Sequence, residues 1–166
     1  MDNIFTLTNV IHSKLLDGKE CFVAFIDLRK AFDSVDRRLL WQKLLGIGIS
    51  GKMTSILRNL YEETSCCIKI DNDKSDFFPV NQGVRQGRIL SPLLFNLFID
   101  DLCNDLQSDL GIQLGEFLFN CLLYADDLAL MADDEKALQI LLQRVGDWCN
   151  KNLLNINNQK SAYNKQ

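Results

Sequence analysis

The stretch CLLYADDLALMA, residues 121–132, places two adjacent aspartates, Asp126 and Asp127, inside an otherwise apolar run. A buried carboxylate is costly in free energy, and two neighbouring carboxylates also repel each other. The apolar runs on either side, residues 117–124 and 128–132, predict two strands of a β-hairpin joined by Ala-Asp-Asp. Two interpretations follow: an Asx-type turn, or a site where a cation offsets the repulsion.

A third carboxylate, Asp27, favours the second interpretation, a cation site. The run CFVAFIDL, residues 21–28, predicts a strand covered on both faces, with Asp27 at the carboxyl end of that strand. If this strand lies beside the hairpin, we expect Asp27 and Asp126 to face each other across neighbouring strands. Carboxylate oxygens are the ligands that Mg²⁺ prefers. The pattern predicts a two-metal phosphoryl-transfer site, and spacing alone leaves polymerase, nuclease and cyclase open.

The periodicity of the remaining chain predicts helices alternating with strands. We expect Asp36 and Ser50 to cap two helices, Ser91 to cap a third with Pro92 near its first position, and Asp133 or Asp134 to cap the last. The predicted helices cover residues 3–16, 36–45, 50–63, 92–106 and 134–149, and the further strands cover residues 65–71, 76–81 and part of 153–166. This order predicts an α+β fold, a split βαβ (ferredoxin-like) antiparallel sheet with helices on one face.

Composition indicates one ordinary globular domain of 166 residues, 47% hydrophobic and 24% charged. The net charge is −4, but residues 1–60 hold nine Lys and Arg against six Asp and Glu, whereas residues 61–166 hold nine against sixteen. The basic half is either a surface for a polyanion or an ordinary solvated face.

Cysteine and histidine usage excludes several kinds of site. The six cysteines form no C-x-x-C pair and most lie in apolar stretches, which indicates reduced core residues of an intracellular protein rather than a disulfide framework or a zinc site. His12 is the only histidine, so most histidine-based mechanisms are excluded. The first residues do not resemble a signal peptide, and no uncharged apolar run is long enough to span a membrane.

Three segments in order carry a family resemblance: FIDLRKAFDSVD (25–36), GVRQGRILSPLLFNLFIDDL (83–102) and YADD (124–127). Together they resemble the reverse transcriptase domain of non-LTR (LINE-type) retrotransposons, which is related to group II intron reverse transcriptases. The resemblance implies a polymerase palm with part of the fingers. Residues 1–166 are then a single domain fragment of a parent polyprotein, without the thumb, most of the fingers and the endonuclease segment.

The resemblance also implies a reaction and its partners. A reverse transcriptase extends a DNA primer on an RNA template with deoxynucleoside triphosphates (dNTPs), and it uses two Mg²⁺ ions for which Mn²⁺ can substitute. No membrane is involved, and the family implies a nuclear location. By their positions in the motifs, Asp27 and Asp126 correspond to the first and second metal-binding aspartates, and Asp127 to a partner acid with a less direct contribution.

Further roles follow from the same motifs. Phe32 corresponds to the aromatic steric gate under the sugar, and Gln86 and Gly87 to the loop that lines the nucleotide pocket. Tyr124 and Ala125 resemble the residues that flank the primer end. Lys160 resembles a lysine that protonates the departing pyrophosphate.

One residue departs from the family pattern. Arg88 directly follows Gln-Gly, where relatives carry a smaller or differently charged residue, and it either crowds the nucleotide or contacts phosphate. Three interpretations of the whole chain stay open: an active palm, an inactive remnant of a retroelement, and a non-enzymatic RNA-binding module of similar topology. The aromatic signature of an RRM is missing from the two central strand segments, which disfavours the third.

Overall fold

A computed structural model describes residues 3–62, 64–85, 87–106 and 109–165. The helices are α1 (Asn3–Leu16), α2 (Ala31–Ser34), α3 (Arg37–Gly46), α4 (Gly51–Tyr61), α5 (Leu90–Leu106) and α6 (Glu135–Lys151). The strands are β1 (Phe22–Asp27), β2 (Ser65–Cys66), β3 (Lys69–Ile70), β4 (Asp73–Lys74), β5 (Phe78–Pro79), β6 (Ile112–Leu114), β7 (Phe117–Phe119), β8 (Cys121–Tyr124), β9 (Asp127–Ala132) and β10 (Ala162–Lys165).

These elements divide into two compact units. The first unit comprises Met1–Ala31 and Ile99–Gln166, and the second comprises Phe32–Phe98. Each has large side chains that are almost fully buried. In the first unit these include Ile112, Leu130, Met131, Leu138 and Trp148, and in the second Leu40, Leu44, Phe95 and Phe98.

The first unit is built on an antiparallel four-stranded sheet with the order β10-β1-β9-β8. Strand β1 lies in the middle because β9 and β10, which come later in the chain, pair with its two edges. This order is that of a split βαβ sheet, so the predicted α+β palm topology is confirmed. The central pairing runs from Phe22 opposite Ala132 to Asp27 opposite Asp127.

Side chains alternate across this sheet, and helices lie on both of its faces rather than on one face as predicted, because α1 as well as α6 buries apolar side chains against it. Helix α6 packs on β1 and β9, and its apolar stripe is buried. On the other face, Val10 of α1 packs with Val23 of β1 and Met131 of β9. Farther along that face Phe25 is 44% exposed. The sheet is therefore open toward the end that carries Asp27.

The second unit confirms the two predicted helix caps. The Asp36 carboxylate accepts hydrogen bonds from the backbone N–H groups of Arg38 and Leu39 at 2.8 and 3.1 Å, and Ser50 Oγ accepts one from Met53 N–H at 3.3 Å. The predicted strands 65–71 and 76–81 form nested hairpins, in which β2 pairs with β5 and β3 with β4.

Other boundaries differ from the predictions. Helix α5 begins at Leu90, so Ser91 lies inside it and is not its cap; the Ser91 hydroxyl donates to the carbonyl of Arg85 instead. The predicted strand 117–124 is two strands, because β7 pairs with β6 and β8 pairs with β9. Asp134 caps α6, whereas Asp133 pairs with Lys14. Glu63, the predicted end of α4, lies outside the described residues.

The cysteines are free thiols, as predicted, although only Cys21 and Cys149 are buried. Burial raises the pKa of Cys149 to about 11, which suits an unreactive apolar residue. The pKa of Cys103 is lowered to about 7 because the Cys121 side chain hydrogen-bonds to it. His12 is exposed on α1. None of the described helices has the length and apolar character needed to cross a membrane.

Candidate active site

The hairpin β8–β9 has a two-residue loop, Ala125–Asp126, closed by the pairing of Tyr124 with Asp127. Ala125 has a φ of +52°, in the left-handed region that residues other than glycine and asparagine rarely adopt. A positive φ at the first loop position is typical of tight hairpins, where glycine is usual. Such local strain costs on the order of 1 kcal/mol and is concentrated at functional sites.

Asp127, the first residue of β9, lies directly opposite Asp27, the last residue of β1. Side chains of directly opposed residues project on the same face of a sheet, so these two carboxylates are neighbours. We expected Asp126 in this place. Asp126 instead occupies the second loop position, because the loop has two residues rather than three.

Within the described part of the chain, the side-chain carboxylates of Asp126 and Asp127 accept no hydrogen bond and pair with no cation. An Asx-type turn requires such a hydrogen bond from the backbone two residues on, so that interpretation is not supported. Asp126 is half-buried and Asp127 is exposed. Like charges placed directly opposite each other destabilise a sheet, and no cation among the described residues forms an ion pair with Asp27 or Asp127, so this pair lowers local stability.

Asp27 is held by the segment that follows α6. Asn157 Nδ2 donates to Asp27 Oδ2 at 2.8 Å, and the backbone N–H of Asn157 donates to the carbonyl of Asp27, also at 2.8 Å. The N–H of Asp27 donates to Ser161 Oγ at 3.3 Å, and that hydroxyl donates to the Asn157 carbonyl at 2.9 Å. One carboxylate oxygen is thus fixed by Asn157, which orients Asp27.

A cleft of about 700 Å³ opens on the same face of the sheet. Its polar lining includes both opposed carboxylates, the 74%-exposed Tyr124 and the exposed Lys160. Its apolar lining comes from α1, β1, β8 and β9: Ile4, Leu7, Phe25, Ile26, Leu122, Leu128 and Ala129. The structure therefore brings together Asp27, Tyr124, Asp127 and Lys160, four of the residues singled out in the sequence.

The described residues contain no group of three His, Cys, Asp or Glu side chains arranged to hold a metal ion by themselves. This arrangement still fits Mg²⁺. That ion is usually bound through one or two carboxylates, with water and substrate phosphates completing the coordination. Asp27 and Asp127 supply two hard oxygen donors on one face without an internal cation, so these two residues suit Mg²⁺ or Mn²⁺ rather than zinc.

Of the other residues singled out in the sequence, Ala125 and Asp126 form the β8–β9 loop in the first unit, whereas Phe32, Gly87 and Arg88 belong to the second unit. The half-buried Phe32 stacks on the buried Phe95, with ring centroids 4.4 Å apart. Gly87 has a φ of +77°, which favours glycine there. Gln86 lies outside the described residues.

Asn157 and Ser161 were not singled out in the sequence. They lie in the polar run NINNQKSA, in which the family resemblance assigns a role to Lys160 alone. The available signal was local: Asn and Ser commonly hydrogen-bond to backbone in irregular segments. Their contacts with Asp27 bridge 130 and 134 positions, and they become visible only once β10 pairs with β1.

Comparison with known proteins decides the family. The model of the family "Reverse transcriptase (RNA-dependent DNA polymerase)" matches residues 2–166. The chain belongs to the reverse transcriptase family. The Pol polyprotein of the retrotransposable element R2DM of Drosophila melanogaster is 33% identical over 147 residues, which cover 89% of this chain and 14% of the relative.

Other relatives of this reverse transcriptase domain belong to similar elements. The R2 polyprotein of Popillia japonica is 30% identical over 96% of the chain and 23% of its own length, and the jockey polymerase of Drosophila funebris is 28% identical over 83% and 15%. These relatives confirm the resemblance to non-LTR retrotransposons. The chain spans less than a quarter of the length of each of these three relatives.

Solved structures share the fold. Apo telomerase of Candida tropicalis, truncated from its C-terminal domain, superimposes with a TM-score of 0.73 at 16% identity, over 99% of this chain and 34% of that one. Candida albicans telomerase with a fragment of telomeric RNA gives a TM-score of 0.72 at 12% identity, over 96% and 29%. At this identity the likeness establishes the polymerase palm fold alone.

Replacing one of the opposed carboxylates tests the cost of their repulsion. Without divalent cations, we expect Asp127→Asn to raise the free energy of unfolding by up to about 1 kcal/mol, because a like-charge pair is removed. Added Mg²⁺ should raise the Tm of the wild type but not that of the variant. Thermal denaturation with and without Mg²⁺ measures both effects. Asp76→Asn, an exposed carboxylate of the second unit, is the matched control, and an equal Mg²⁺ response in all three proteins would contradict the assignment.

A second substitution tests the hydrogen bond from Asn157 to the Asp27 carboxylate. Asn157→Ala removes a hydrogen bond to a charged group, so we expect the free energy of unfolding to fall by about 1–3 kcal/mol at neutral pH. Asn158→Ala changes the neighbouring exposed amide and should leave stability nearly unchanged. Urea denaturation of the three proteins gives the comparison, and equal midpoints for the two variants would show that Asn157 does not secure Asp27.

Proposed function

We propose that this domain catalyses RNA-directed DNA synthesis, the transfer of a nucleotide from a dNTP to the 3′-hydroxyl of a primer. The observation that carries the proposal is the Asp27–Asp127 pair, two uncompensated carboxylates on the open face of a palm sheet. Membership of the reverse transcriptase family supports it, since a pair of this kind serves divalent-cation chemistry with phosphates.

In this proposal, Asp27, Asp126 and Asp127 hold two Mg²⁺ ions, or Mn²⁺ in their place. Asp27 and Asp127 bind from opposite strands, and Asp126 contributes from the hairpin loop. When bound, the ions lower the pKa of the primer hydroxyl and neutralise charge on the triphosphate. Asn157 keeps Asp27 in a fixed orientation, so the carboxylate is arranged before substrate arrives.

The remaining residues position the substrates. Tyr124 and Ala125 contact the primer end at the hairpin, and Lys160, on the wall of the same cleft, donates a proton to the departing pyrophosphate. Phe32 limits the space under the sugar, which discriminates against a 2′-hydroxyl, and its stacking on Phe95 makes it rigid enough for this role. Gln86 and Gly87 line the nucleotide pocket.

The partners follow from the same family. We propose an RNA template and a DNA primer as the nucleic-acid substrates, and a parent polyprotein that supplies further fingers, a thumb and an endonuclease segment. The relatives named as Pol polyproteins support a parent polyprotein, and the telomerase in complex with a fragment of telomeric RNA supports an RNA template. The nucleus is the proposed place of action.

Primer extension tests the proposal directly. With an RNA template, a DNA primer, dNTPs and Mg²⁺, we expect extension that Asp27→Asn lowers by more than about 100-fold, the scale of losing one strong electrostatic contact in a transition state. Asp76→Asn should extend as the wild type does. Extension equal in wild type and Asp27→Asn, or none in either, would refute the proposed activity for this chain.

A further inference from the structure

Arg37 is the first residue of α3, where the helix dipole disfavours a positive charge. Arg37 is nevertheless half-buried, and its guanidinium makes four hydrogen bonds to the described residues, all to backbone carbonyls. Arg37 Nε donates to Gly83 O at 2.9 Å, Nη1 to Val80 O at 2.8 Å and to Tyr61 O at 3.1 Å, and Nη2 to Gln82 O at 3.2 Å. Three of these acceptors belong to the short segment 80–83.

The same segment is fixed from its other side by backbone contacts. The N–H of Gly83 donates to the carbonyl of Val35, and the N–H of Val84 donates to that of Phe32, each at 2.8 Å. Gly83 has a φ of +80°, and a Cβ atom there would lie 2.7 Å from the carbonyl oxygen of Asp33. The approach is therefore close enough that only glycine fits without a shift of the backbone.

An aromatic ring closes this network. The buried Tyr61 has the Arg37 guanidinium 5.0 Å from its ring centroid and the Arg85 guanidinium 5.6 Å from it. Arg85 Nη2 also donates to Thr64 Oγ1 at 2.8 Å. Cation–π attraction to one ring offsets the repulsion between the two guanidinium groups. Arg85 continues directly into Gln86 and Gly87.

We infer that Arg37 is the positioning residue of the loop that carries Gln86 and Gly87. This inference rests on the proposed function, in which that loop lines the nucleotide pocket. Arg37 fixes the start of the loop by hydrogen bonds to residues 80–83. Its guanidinium also lies against the Tyr61 ring, which the Arg85 guanidinium contacts as well. Arg37 touches no substrate in this role and acts through the loop.

A guanidinium suits this position because it carries five donors in a rigid planar fork. Burial lowers the pKa of Arg37 from its usual value, but an arginine stays charged in proteins. A lysine keeps the charge, but its three donors lie on one nitrogen and cannot reach carbonyls on several sides. Arg37→Lys therefore keeps the positive charge but removes the planar arrangement of donors, so it tests the two contributions separately.

The neighbouring Arg38 is a matched control. Its side chain is 85% exposed, and its described polar contacts are with Asp36 alone. Hydrogen exchange followed by NMR in the full 166-residue chain reports on the loop, because the amides of Gly83 and Val84 are held by defined backbone hydrogen bonds. We expect Arg37→Lys and Arg37→Ala to speed their exchange at least about 10-fold, the effect of losing hydrogen bonds to a charged group. Arg38→Ala should not, and amides of β1 and β9 should keep their rates in every variant.

A kinetic measurement then ties the loop to the nucleotide. In primer extension, Arg37→Lys should raise the dNTP KM about 10-fold while kcat stays nearly unchanged, as expected when ground-state binding is weakened. Unchanged exchange at Gly83 and Val84 would overturn the inference, and so would faster exchange with an unaltered KM. If the wild type shows no extension, the proposed function fails by itself, and the exchange rates alone decide whether Arg37 positions the loop.

Discussion

The opposition of Asp27 and Asp127 is the constraint on which the site depends. Strands β1 and β9 pair over six residues, and this register places two negative charges face to face at the end of the ladder. A shift of one residue would turn every side chain of β9 to the other face of the sheet. The buried Leu130 would then leave the core, so apolar packing enforces a register that electrostatics alone would disfavour.

The chain holds this unfavourable arrangement in place from several directions. The strained Ala125 sets the tight loop that starts β9 at Asp127. Asn157 and Ser161 fix Asp27 from the segment before β10. Helix α6 covers the far face, where its stripe of buried side chains stabilises the sheet. A rigid frame of this kind keeps the carboxylates in fixed positions and presents them to a ligand, which is the organisation that electrostatic catalysis requires.

The second unit uses positive charge in a different way. Arg37 donates its hydrogen bonds to backbone carbonyls of its own unit rather than to a carboxylate. Gly83 allows two backbone segments to approach closely. A loop without long strands has few intrinsic hydrogen bonds, so side-chain donors take the place of a sheet partner. The same unit holds Phe32 and Gly87 in defined conformations.

Much of this was predictable from the sequence because periodicity and capping are local. Helix α1 matches its predicted range, Asp36, Ser50 and Asp134 cap helices as expected, and the central strand ends at Asp27. Two kinds of feature were missed. The first is the length of the hairpin loop, which has two residues instead of the predicted three, so Asp127 rather than Asp126 lies opposite Asp27. Apolar patterning does not specify turn length. Asn157 and Arg37 act through hydrogen bonds to residues distant in sequence, and their residue types carry no periodic signal.

Locating a bound divalent cation tests most directly whether Asp27 and Asp127 form a metal site. In NMR spectra of the ¹⁵N-labelled chain, substoichiometric Mn²⁺ broadens the amide signals nearest to its site. We expect the signals of Asp27 and Asp127 and their strand neighbours to broaden first, and excess Mg²⁺ to reverse the effect. Broadening centred on the acidic residues of α5, such as Asp100 and Asp105, with the β1–β9 signals unaffected, would contradict this expectation.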